Sequence, residues 1–138
     1  MLFTAPVLVV SQSTAAQRLL FLLLGKAGYG AVTAGDGDDA LALMARCSPC
    51  LVVVDLRESN EDMMFFAALL RKRHPALPAL LLHVGTARLL AAGHERQIQL
   101  GSAHDPAHFP SVEELQRAVS MAVAERVLKT LRPAVAKA

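Results

Sequence analysis

Short runs of aliphatic, mostly β-branched residues alternate along this chain with longer stretches in which apolar residues recur at helical period. That alternation is the pattern of a parallel sheet flanked by helices. Val7–Val10 predicts a first buried strand, and Ser13 and Thr14 supply an N-cap for a helix over Ala15–Ala27 that Gly28 stops. A weaker strand over Gly30–Ala34 is followed by a helix from about Asp38 to Cys47, with Asp36 or Asp38 at its cap. Leu51–Val54 is the clearest strand, an unbroken aliphatic run that ends directly at Asp55.

The second half reads less sharply. A third helix covers Glu61–His74 and is closed by Pro75, and Ala79–Leu82 predicts a fourth strand ending at His83. Thr86–Gly93 predicts a short fourth helix and Gln97–Ala103 a fifth strand, although Gly101 weakens it. Ser111 with Glu114 forms a capping box for a last helix running to about Leu131, where Pro133 ends it. The expected fold is α/β: one domain over 1–132 built on a doubly wound, five-stranded parallel sheet, with 133–138 a tail or the start of a linker. Such folds place their sites at the carboxyl ends of the strands, which directs attention to Ser11, Gln12, Asp55, His83 and the His104–Pro106 turn.

Composition narrows the function classes. The chain has 138 residues, of which 54% are hydrophobic, ample for one buried core. Its 14 basic and 12 acidic residues leave a net charge of only +2, so no nucleic-acid partner is indicated. The Leu-rich run Leu19–Leu24 is far short of the roughly 20 apolar residues that span a bilayer, so no membrane insertion is expected. Without a basic start or an apolar stretch of signal-peptide length, a cytoplasmic location with reduced Cys47 and Cys50 is the expectation.

The order and spacing of several pieces resemble a response-regulator receiver domain over nearly the whole length. They are Val7-Leu8-Val9-Val10, Ala27-Gly28-Tyr29-Gly30, Asp36-Gly37 before Ala40-Leu41-Ala42-Leu43, Leu51-Val52-Val53-Val54-Asp55-Leu56-Arg57, Arg73-His74-Pro75 through Leu82, and Val112-Glu113-Glu114-Leu115. The resemblance implies a flavodoxin-like (βα)5 fold, two-component signalling and no enzymatic role. It also implies a phosphoacceptor at Asp55, beside two acidic residues that help to hold Mg²⁺. Here the acidic pair is replaced by Ser11 and Gln12, and the family's phosphoryl-binding Ser or Thr by His83. Its Lys is replaced by Asp105, or by Gly101 or Ser102 in another register, and its aromatic switch by Ser102. Mg²⁺ binding is therefore expected to be weak or absent, and signalling is expected to run through protein–protein contact without phosphorylation. The partner would be a signalling protein such as a histidine kinase or an output domain. The alternative is a working phosphoacceptor served by a histidine kinase through Asp55, with a protonated His83 lending positive charge.

A further alternative is a thiol redox protein using Cys47 and Cys50, but that pair closes a helix and opens a strand, whereas a redox motif opens a helix. His104 and His108 sit at the opposite edge of the sheet from the cysteines, too far for one metal ion. Surplus apolarity is more telling. Leu19, Leu20, Leu23 and Leu24 form a stripe that can face the sheet, while Phe21 and Leu22 fall off it and predict an interface on the first helix, for a homodimer or for a partner helix. Helix three carries a similar excess in Met63, Met64, Phe65, Phe66, Ala68 and Leu69.

Overall fold

The computed structural model describes residues 5–57, 61–91 and 94–99, and in the last segment 116–117, 119–122 and 124. In chain order its elements are β1 (Val7–Val10), α1 (Thr14–Lys26), β2 (Ala31–Ala34), α2 (Gly37–Cys47), β3 (Leu51–Asp55), α3 (Glu61–Arg73), β4 (Ala79–Leu82), β5 (Thr86–Ala91) and β6 (His94–Gln99). The strands form one sheet in the order β2-β1-β3-β4-β5-β6. Its first four strands run parallel, with Val7 beside both Ala31 and Leu51 and with Asp55 beside Leu82.

Local chemistry sets the helix starts. Ser13 accepts a hydrogen bond from the Ala16 N–H at 3.1 Å, and Asp36 accepts one from the Asp39 N–H at 2.8 Å, so both helices begin on a side-chain cap. Strands buried on both faces then sort their side chains by alternation. Val7, Val9, Leu51, Val53, Leu80 and Leu82 join Leu20 and Leu24 of α1, together with Val119 and Ala122 of the final helical segment, in one apolar cluster. Leu8, Val10, Val52, Val54 and Leu81 join Ala40 of α2 and Met63, Phe66, Ala67 and Leu70 of α3 in the other. Helices therefore cover both faces of the sheet, which is the doubly wound α/β arrangement expected.

The fourth helix expected over Thr86–Gly93 is not formed. Thr86–Ala91 is instead a strand antiparallel to β4, and the sheet continues through an antiparallel β6, giving six strands among the described residues where five parallel ones were expected. Helix propensity in Ala-Arg-Leu-Leu-Ala is a weak prior, and burial overrides it here. Ala87 and Leu89 enter the α1-side cluster while Leu90 enters the α2/α3-side cluster, so a strand buries both faces of this segment at once. Gly85 makes the reversal possible with φ +80°, and the His83 N–H donates to the Thr86 carbonyl at 2.8 Å across it. The strand expected over Gln97–Ala103 coincides with β6 only in Gln97–Gln99. Ser102, Asp105, the two histidines at 104 and 108, the capping box and the tail at 133–138 lie outside the described residues.

Candidate functional site

Three strand ends meet at the carboxyl edge of the sheet. β1 delivers Ser11 and Gln12, β3 delivers Asp55, and β4 delivers His83, because parallel register brings these ends level. Ser11 is 1% exposed and Asp55 8%, making them the buried polar residues among the described residues. Gln12 is exposed.

Asp55 is enclosed by donors. Its Oδ1 accepts the Arg57 backbone N–H at 3.1 Å and the Arg57 Nε–H at 2.9 Å, and its Oδ2 accepts Arg57 Nη2 at 3.1 Å and the Ser11 hydroxyl at 2.9 Å. A carboxylate offers about four lone-pair sites, so these bonds use its accepting capacity fully. The guanidinium contact is bidentate, the arrangement in which an arginine grips a carboxylate most firmly. Two-residue spacing explains it: the Asp55-Leu56-Arg57 turn closes on the backbone N–H of Arg57 and brings its side chain back over the strand end.

Electrostatics follow from this geometry. Burial by itself pushes the Asp55 carboxyl up, but hydrogen bonds from the Arg57 side chain, the Arg57 backbone and Ser11, together with the Arg57 charge, outweigh it and hold the group below its ordinary value. Asp55 is thus an anion with an internal counter-ion. Ser11 is fixed in turn, since its hydroxyl accepts the Ser13 N–H at 3.2 Å and its carbonyl accepts Gln17 Nε2 at 2.7 Å. His83 differs: its Nε2 is buried with no hydrogen-bond partner among the described residues. Burial, and then the nearby charge of Arg88, pull its imidazolium below the ordinary range, so it is neutral at pH 7 and brings no positive charge.

These residues do not fit a divalent cation. Mg²⁺ needs carboxylate oxygens with free lone pairs, and the Asp55 oxygens are committed to Arg57 and Ser11. Among the described residues, no group of three His, Cys, Asp or Glu could hold a metal ion. Ser11 and Asp55, singled out from the strand ends, lie in hydrogen-bond contact, and Arg57 and Gln17, which the pattern did not single out, hold them. An arginine two residues beyond a strand-end aspartate was the available signal. Of the cysteines, Cys47 ends α2, and Cys50 donates its thiol to the Ala5 carbonyl at 3.3 Å at the opposite edge of the sheet.

No protein-family model matches the sequence. The chain is similar to a probable transcriptional regulatory protein of Mycobacterium tuberculosis, TcrX, with 34% identity over 76 residues, covering 55% of this chain and 32% of that protein. It therefore spans about a third of that relative's length. Among solved structures, the receiver domain of NtrX from Brucella abortus is 30% identical with a TM-score of 0.50, over 54% of this chain and 64% of that one. The response regulator TrrA from Thermotoga maritima, in complex with Mg²⁺ and BeF, is 26% identical with a TM-score of 0.53, over 59% of this chain and 70% of that one. A receiver domain protein from Clostridium thermocellum shares the fold over 90% of this chain and 98% of its own, at a TM-score of 0.65 and 16% identity.

Proposed function

We propose that this chain is a receiver-like domain of the response-regulator type and that it serves two-component signalling by binding a partner protein without being phosphorylated. The observation that carries this reading is the closed Asp55: four donors, three of them from Arg57, occupy the carboxylate that a phosphoryl group and a metal ion would have to share. TrrA takes Mg²⁺ and BeF. Here a guanidinium stands where a cation would be recruited, Ser11 and Gln12 bring no charge, and His83 is neutral. Incubation with acetyl phosphate and Mg²⁺ should leave the intact mass unchanged. A stoichiometric phosphate adduct that disappears in Asp55→Asn would overturn the reading and establish the alternative, a phosphoacceptor served by a histidine kinase.

The partner surface in this reading is α1. Phe21 is 49% exposed and Leu22 59%, and with Thr14, Gln17, Arg18 and Thr33 they line an open depression of about 410 Å³. Gln17 belongs both to this depression and to the Ser11 loop, so the face adjoins the degenerate pocket. No acidic residue occurs in α1, while Arg18 and Lys26 are exposed. Two copies facing each other here would set cation against cation, so the occupant is a partner helix carrying apolar and acidic residues, supplied by a histidine kinase or an output domain.

A further inference from the structure

Helix α3 buries Met63, Phe66, Ala67 and Leu70 and turns a second stripe outward. Glu61, Phe65, Ala68 and Lys72 are all exposed and recur at intervals of four, three and four residues, the spacing by which one helix packs along another. Phe65 is 69% exposed and Met64, on its flank, 55%. First-turn acids and last-turn cations complement a helix's own dipole, so charge placement alone would mean little. The dipole does not account for the exposed aromatic between them, nor for how the four positions relate. Glu61 and Lys72 have the same midpoint in the helix as Phe65 and Ala68, between Phe66 and Ala67. Turning one copy end over end about that point sets Glu61 against Lys72 and Phe65 against Ala68: acid meets base, and a large side chain meets a small one.

Among the described residues, neither Glu61 nor Lys72 takes part in an ion pair within the chain. Neighbouring Arg71 lies 3.6 Å from Glu95 of β6, which leaves Lys72 as the cation of the stripe. A parallel pairing would oppose Glu61 to Glu61 and Phe65 to Phe65, so the stripe complements itself in one direction only. We propose that the chain self-associates through α3, two copies packing antiparallel about a two-fold axis at Phe66–Ala67. A helix of this length is about 20 Å long, so the contact is smaller than a standard stable interface, and the dimer is weak and reversible.

Sedimentation of the whole chain from about 10 µM to about 1 mM tests this. The wild type should move from monomer to dimer across the series. Glu61→Lys and Lys72→Glu should each weaken association on the order of tenfold or more, because each opposes like charges twice per dimer. All substituted positions are exposed, so thermal midpoints should differ by no more than the few degrees that a reversed dipole complement costs. An equimolar mixture of the two single variants should associate about as well as wild type, since every contact in the mixed dimer again pairs opposite charges. The charge-swapped double variant should recover likewise. A wild type that stays monomeric throughout, single variants that dimerise normally, or a mixture that fails to recover would each overturn the proposal.

Discussion

At the scale of single residues, the Asp55–Arg57 pair and His83 oppose each other in energetic sign. Asp55 is a satisfied buried anion, and removing the Arg57 side chain leaves that anion with the Ser11 hydroxyl and the residue-57 backbone N–H but no counter-charge. Arg57→Ala should therefore lower stability by about 3 kcal/mol in chemical denaturation, the low end for a broken buried pair because the guanidinium is 14% exposed. Asp55→Asn and Asp55→Glu each spoil the bidentate geometry. Both should cost about 1–3 kcal/mol and should behave alike in partner binding; opposite signalling phenotypes would speak for a phosphorylation switch. The two groups also separate by pH. His83 titrates lower in the folded chain than in the unfolded one, so its protonation favours unfolding, and stability should fall as pH drops below about 6.5. Asp55 is lowered too, so its contribution is fully present above about pH 4 and is lost only as pH falls further. His83→Leu, which also removes an unpartnered buried nitrogen, should abolish the upper step of an acid stability profile and leave the lower one intact.

Among elements, the hairpin of β4 and β5 is the departure from the expected alternation, and its weak point is Gly85. A side chain at φ +80° strains the backbone by about 1–2 kcal/mol, so Gly85→Val should destabilise by at least that amount and more than Val84→Ala on the exposed side of the same turn. Why this hairpin was not legible is clear from its residues. A strand buried on both faces shows no period-two alternation, and Ala87, Arg88, Leu89 and Leu90 favour helix when taken alone. The Val84-Gly85 step was a hairpin signal outweighed by propensity. By contrast β1, β3 and β4 were legible because each is a short aliphatic run ended by a polar residue, and α1 and α2 because Ser13 and Asp36 cap them as their side chains suggest. The site was half legible. Strand ends locate Ser11, Asp55 and His83, but which donor turns back onto a carboxylate depends on a turn and a rotamer that spacing alone does not specify.

For the whole molecule, the doubly wound sheet decides how the two surfaces relate. α1 belongs to one apolar cluster and α3 to the other, so the proposed partner face at Phe21 and Leu22 and the stripe of Glu61, Phe65, Ala68 and Lys72 lie on opposite sides of the sheet. Neither shares a residue with the other. Sites separated by a packed sheet contribute additively when no side chain links them. Phe21→Glu with Leu22→Arg removes apolar surface that the core never used, since Leu20 and Leu24 carry the buried stripe at 0% exposure while Phe21 and Leu22 remain at 49% and 59%. The double variant should accordingly keep its thermal midpoint within a few degrees of wild type, and its dimerisation should match wild type at equal concentration. Loss of dimerisation with an unchanged midpoint would make α1 the self-association face and would displace α3 from that role. Unfolding of the variant would place Phe21 and Leu22 in the core, against their exposure in the structure. If the midpoint and the dimer both hold, the α1 face stays free in each copy, and a dimer of this chain can present two partner sites facing away from its own two-fold contact.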